Sequence, residues 1–170
     1  MKIKNLLLAT FAIVASTITV NAQKTLVDVA VGSKDHTTLV AAVKAADLVA
    51  TLQSAGPFTV FAPTNEAFAK LPAGTVENLL KPENKATLAK ILTYHVVAGN
   101  LDAAAVLKAI KDGKGKVTLK AVSGGTLTAS LKDGEVILTD EKGGNAIVTA
   151  TDLKAGNGIV HVIDAVVMPK

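Results

Sequence analysis

The 170-residue chain has no cysteine, no tryptophan, one tyrosine and four phenylalanines. Without cysteine there is no disulfide scaffold, no thiolate zinc centre, no catalytic thiol and no cysteine to carry a lipid. Its 18 cations are all lysine, so the planar fork with which arginine reads phosphate or guanine is missing. Aromatic platforms on which bases or sugars stack are equally scarce. Binding to nucleic acid is therefore not expected, despite a formal charge of +4.

What is present is an apolar chain, 49% hydrophobic and only 19% charged, of a length that suits one globular domain. Lys2 and Lys4 precede an apolar stretch from Leu6 to Val20, and Val20-Asn21-Ala22 puts short side chains ahead of Gln23. A basic start, an apolar middle and a small-residue exit predict a secretory signal peptide over residues 1–22, cleaved after Ala22. The competing reading is a membrane anchor. A helix from Leu6 to Val20 rises about 22 Å, short of the ~30 Å hydrocarbon core. Cleavage removes Lys2 and Lys4 and leaves the mature chain close to neutral, and no later apolar run reaches membrane-spanning length. A secreted chain without cysteine fits a Gram-negative periplasm or the outside of such a cell.

The remainder reads as one domain over residues 24–170, helices first and strands last. Helical spacing covers Thr25–Val31 and Thr37–Leu52, the latter with Leu39, Val43, Ala46 and Ala50 on one face. Phe58–Ala62 suits a buried strand, and Thr64 caps the helix that follows it. Thr75 is expected to cap a short helix over Val76–Lys81. Pro82 opens the next helix, on which Leu88, Ile91, Leu92 and His95 share a face. Asp102 opens a helix that stops at Asp112-Gly113. Beyond Lys116 the period drops to two: strands are expected over Val117–Val122, Thr126–Lys132, Glu135–Thr139, Ala146–Thr151 and Ile159–Val167. Asp133-Gly134 marks a tight hairpin among them. Helices followed by a β-meander indicate an α+β domain, not a doubly wound parallel sheet.

Three segments resemble a known family. Thr59-Val60-Phe61-Ala62-Pro63-Thr64-Asn65-Glu66-Ala67-Phe68 is similar to the first signature motif of fasciclin-like domains. Asn157-Gly158-Ile159-Val160-His161-Val162-Ile163-Asp164 resembles the second, and Leu92-Thr93-Tyr94-His95-Val96-Val97 looks like the family's tyrosine–histidine segment. The resemblance implies a bacterial, secreted, single-domain fasciclin-like protein with N-terminal helices packed on a β-rich wedge or sandwich of short strands. It also implies a non-enzymatic module for cell adhesion or attachment to matrix or envelope, contacting a cell-surface or matrix protein or a polysaccharide. The alternative function is a periplasmic carrier of a small apolar ligand.

Within the motifs, Thr59, Phe61, Pro63, Thr64, Asn65, Phe68, Asn157, Gly158, His161 and Asp164 read as folding instructions. Val60 and Ala62 face one side of a strand, Thr59 and Phe61 the other. Pro63 removes a donor where the strand ends, Thr64 or Asn65 satisfies free amides at the helix entry, and Gly158 permits an unusual backbone angle. Binding is assigned to Tyr94, His95, Asp152 and Leu153. Asp152-Leu153 stands where animal matrix relatives carry an Asp-Ile adhesion motif, and Tyr-His is implicated in the same relatives. None of the three histidines has a ligand spacing, Ser123-Gly124-Gly125 lacks the elbow pattern of a serine hydrolase, and Gly113–Lys116 lacks the spacing of a P-loop. Asp140-Glu141 does not match the alternating acids of a calcium loop. No catalytic residue, metal or cofactor is expected.

Overall fold

In the computed structural model, which describes residues 24–170, seven short α-helices and seven strands follow one another. The expected signal peptide, residues 1–22, lies outside the described residues. The elements are α1 (Leu26–Val31), α2 (Thr37–Ala45), α3 (Val49–Gln53), β1 (Phe58–Pro63), α4 (Asn65–Ala69), α5 (Thr75–Leu79), α6 (Lys85–Tyr94), β2 (Val96–Ala98), α7 (Ala103–Asp112), β3 (Lys116–Lys120), β4 (Thr126–Lys132), β5 (Glu135–Thr139), β6 (Asn145–Ala155) and β7 (Gly158–Ile163).

Local chemistry explains most boundaries. Thr25 and Asp28 form a reciprocal capping box at α1, Thr64 accepts from Ala67 N at α4, and Asp102 accepts from Ala105 N at α7. The helix expected over Thr37–Leu52 is broken in two. Asp47 takes φ 60, and Asp47 N and Leu48 N fold back on the carbonyls of Lys44 and Val43, which closes α2 with a left-handed cap. Asp tolerates that conformation better than most residues, so the apolar spacing continues across a break it does not register. Thr75 is also not a cap: Gly74, at φ 81, holds that position and Thr75 is the first helical residue. Asp133 and Gly134 both take positive φ, as a tight hairpin requires.

The sheet has the order β2-β1-β7-β6-β5-β4-β3. From β3 to β7 it is the expected antiparallel meander. β7 then lies parallel to β1, from Phe58 opposite Gly158 to Pro63 opposite Ile163. The two outer strands approach each other, since Val97 bridges Ala121 and Val122 N donates to Val96 O at 2.7 Å, so the sheet nearly closes into a barrel. β6 runs past its expected end to Ala155, and β7 stops at Ile163, short of the expected Val167.

Two cores form on the two faces of this curved sheet. Inside are Phe61, Ile110, Leu127, Leu138 and Ile163, with α7 closing the end. Outside, beneath the N-terminal helices, are Leu39, Val43, Val60, Phe68, Leu92 and Val160. β1 lies between them, which gives its alternation a meaning: Val60 and Ala62 serve the helical core, and Phe61 serves the barrel. Burying one such aromatic contributes roughly 1.5–3 kcal/mol.

Candidate interaction surface

The paired motifs use their polar side chains to fasten the helices to the sheet. Thr64 caps its own helix, but Asn65 caps another one: its Oδ1 accepts from Thr38 N at 3.0 Å and its Nδ2 donates to Lys34 O at 2.9 Å, tying α4 to the start of α2. Asn157 does the same for α1 and α3. Its Oδ1 accepts from Leu26 N at 3.0 Å, and its Nδ2 donates to Leu52 O and Ser54 O at 2.7 and 3.0 Å. Thr59 is fully buried; its hydroxyl donates to Gly99 O and accepts from Leu101 N. Asp164 accepts from Ile147 N at 2.7 Å and pairs with Lys70 at 2.9 Å. Burial pulls its carboxyl up, but these two partners outweigh that and hold it below the usual range.

Gly158 is needed for a reason other than the expected one. Its φ lies outside the left-handed region, but a Cβ there would stand 2.0 Å from Phe58 O on β1. Close approach of two strands, not backbone freedom, excludes every larger residue.

Tyr94 and His95 lie beneath the surface. Tyr94 is 0% exposed and its hydroxyl donates to Thr126 O while accepting from Glu141 N. His95 is 2% exposed; Nδ1 donates to Ile91 O at 2.8 Å and Nε2 accepts from Val167 N at 3.2 Å. That pattern fixes one neutral tautomer and pins the C-terminal segment to α6. Burial lowers the pKa of His95 to about 4, against the opposing pull of Ile91 O and Asp140. His161 stacks on Phe61 with ring centroids 5.6 Å apart, and its Nε2 donates to Leu101 O at 2.7 Å. Both rings serve backbone groups.

Asp152 and Leu153 are at the surface. β6 gains residues relative to β7 through irregularities between Val148 and Ala150 and between Ala150 and Leu153. Within the second, Asp152 takes φ 60 and its Oδ1 accepts from Ala103 N at 2.8 Å, so its carboxylate caps the first turn of α7 alongside Asp102. Leu153 is left 40% exposed. β5 pairs with β6 only as far as Ile137 opposite Ile147, so from Val148 onward β6 has β7 on one side and, among the described residues, no strand on the other. Of the four assigned binding residues, the geometry thus sets Asp152 and Leu153 at the surface, on a stretch of β6 unpaired on one side and held there by α7, and puts Tyr94 and His95 inside. Sequence reasoning missed the edge itself, because its only local signal is the shortness of β5 next to a longer β6.

A family model described as Fasciclin domain matches residues 34–169. A protein of Synechocystis sp. is 52% identical over 145 residues, which take in 85% of this chain and 73% of that protein. Transforming growth factor-beta-induced protein ig-h3 of Sus scrofa is 39% identical over 150 residues, 85% of this chain and 19% of that protein. Among solved structures, the FAS1 domain pair of the insect cell adhesion molecule Fasciclin I aligns with a TM-score of 0.61 at 22% identity, covering 74% of this chain and 42% of that one.

Proposed function

Since this chain belongs to the fasciclin domain family, known for cell-adhesion and extracellular proteins, we propose that it is a secreted, non-enzymatic binding module that attaches cells or envelope to their surroundings. The observation that carries the reading is the strand edge at Asp152-Leu153: an exposed branched apolar side chain beside an acid whose geometry is locked by α7. A locked edge lowers the ordering cost of a contact, which suits recognition by shape. Tyr94 and His95, being buried, act on binding through the shape of the surface above them. Residues 1–22 direct export and are removed, leaving one domain over 24–170 in the periplasm or outside the cell. Among the described residues no helix is long and apolar enough to cross a membrane.

The carrier reading has one observation in its favour, an apolar cavity between α1–α3 and β1, lined by residues such as Leu39, Val43, Val60 and Leu92. Its volume is about 40 Å3, against roughly 300–1,000 Å3 for small-molecule sites. Filling it with a ligand would require the helices to part from the sheet, so adhesion is the better reading.

The test replaces Leu153 with Asp, which leaves the core untouched, and compares adhesion of the purified mature chain to its own cells and matrix. The expected result is loss of most binding with an unchanged melting curve. Equal binding by both proteins overturns the Leu153 edge, and a small molecule retained in native mass spectrometry favours the carrier.

A further inference from the structure

The outer face of β3–β6 is a second surface, separate from the Leu153 edge. Alternate residues Leu127, Ala129, Leu138 and Ala146 point into the barrel and are buried. Their neighbours point out, and the register sets them in rows. Thr118 lies opposite Thr128, Thr128 opposite Thr139, and Thr139 opposite Asn145. The next row runs Lys116, Ser130, Ile137, Ile147, and on the other flank Lys120 faces Thr126. Adjacent strands stand about 4.8 Å apart, so each row is a ladder of groups at intervals comparable with the length of one sugar residue.

The charge on this face is mostly uncompensated. Lys116, Lys120 and Lys132 are exposed, and the ion pairs among the described residues involve other lysines, Lys70 with Asp164 and Lys85 with Asp47. The bordering acids are largely occupied. Asp164 holds Lys70 and Ile147 N, and Glu141 accepts from Thr126 N and Lys170 N. At the hairpin end Glu135, opposite Lys132 in the register, and Asp133 in the turn are exposed acids, so the charge left open is chiefly that of Lys116 and Lys120. Thr139 donates to Asn145, whereas the hydroxyls of Thr118, Thr128 and Ser130 make no such bond among the described residues. Part of the face is concave, a hollow of about 430 Å3 between the sheet and the Lys70–Asp164 pair, floored by Ile137 and Ile147.

We propose that this face binds an acidic polysaccharide. A uronate-bearing chain crosses the strands with carboxylates toward Lys116, Lys120 and Lys132, hydroxyls on the Thr118–Thr128–Ser130 groups, and sugar C–H faces over Ile137 and Ile147. The match is one of charge, backed by hydroxyls and an apolar floor. An acidic polypeptide offers the charge without ring hydroxyls. A nucleic acid would call for arginines, which this chain lacks, and for aromatics, of which it has few.

The mature chain is titrated with polygalacturonate, with neutral dextran and with poly-glutamate at low and moderate salt. Polygalacturonate is expected to bind, to weaken with salt, and to bind better than either of the others. Replacing Lys116, Lys120 and Lys132 together by Gln should weaken it about tenfold or more. Replacing Lys34, Lys81 and Lys108, three lysines off this face, removes the same charge and should leave binding near wild type. Ser130→Ala with Thr128→Val should weaken polygalacturonate while leaving poly-glutamate unchanged. Equal loss from both lysine sets, or poly-glutamate bound as tightly as polygalacturonate, overturns the proposal, as does no binding at all. Adhesion lost in Leu153→Asp with polygalacturonate binding retained would show the two surfaces to be independent.

Discussion

His95 is wholly buried, with both ring nitrogens engaged and a pKa lowered to about 4 from the usual 6.5. The folded state therefore prefers the neutral ring, while the unfolded chain takes up a proton first as the medium becomes acid. The stability from this group is complete above about pH 6.5 and is lost as pH falls from there toward about 4, a total on the order of 3 kcal/mol. His36, whose pKa is also lowered by burial, adds in the same direction. Urea unfolding at pH 7.5 and 4.5 checks this: wild type should lose markedly more stability between the two than His95→Gln, whose slope retains only the contributions both proteins share. Equal slopes would mean that His95 is as accessible to protons folded as unfolded. At this scale the sequence was partly legible. An imidazole beside the tyrosine of an apolar helix needs a partner, but which backbone groups supply one, Ile91 O four residues back and Val167 N far along the chain, depends on where the C-terminal segment comes to rest.

At the scale of elements, the pairing of β1 with β7 carries the design. The strands approach so closely that Gly158 meets Phe58 O, and Gly56 would likewise bring a Cβ within 2.0 Å of Asn157 O. Because both obstacles are backbone atoms, nothing flexible can yield. Gly158→Val is expected to abolish soluble folded protein, and Gly158→Ala to destabilise by about 3 kcal/mol or more, read from thermal melts. A melting temperature for Gly158→Ala within a degree of wild type would show the strands able to part. The period-two alternation of β3–β5 and the Asp133-Gly134 turn were plain in the sequence because each is set by neighbours in the chain. The break at Asp47 was not, since one residue in a left-handed conformation ends α2 without disturbing the spacing of Leu39, Val43 and Ala46.

At the scale of the whole molecule, α1–α6 are held against a nearly closed sheet. The apolar core between them does most of the work, and two asparagines, Asn65 and Asn157, each bonded to elements distant in sequence, fix how the helices sit on it. Asn157→Ala leaves Leu26 N, Leu52 O and Ser54 O without that partner, at a cost of about 2 kcal/mol. The loss should be uneven: amide exchange in α1 and α3 should speed up while β4 and β5 keep their protection. Uniform acceleration would instead mean that helices and sheet unfold as one unit. The α+β class and fasciclin membership read from the three motifs agree with the fold and with the family match. The parallel neighbourhood of the first and second motifs, some 100 residues apart in sequence, had no local trace.

By itself the sequence determined the kinds of element, the faces they bury and the family, because turn chemistry, capping and hydrophobic period act over a few residues. Only the tertiary structure decided that Tyr94 and His95 lie inside while Leu153 lies outside, that Asn65 serves a helix other than its own, and that lysines and hydroxyls of separate strands share one face. Those outcomes depend on register between segments far apart in the chain. A residue's period says which side of its strand it takes, but not what stands opposite.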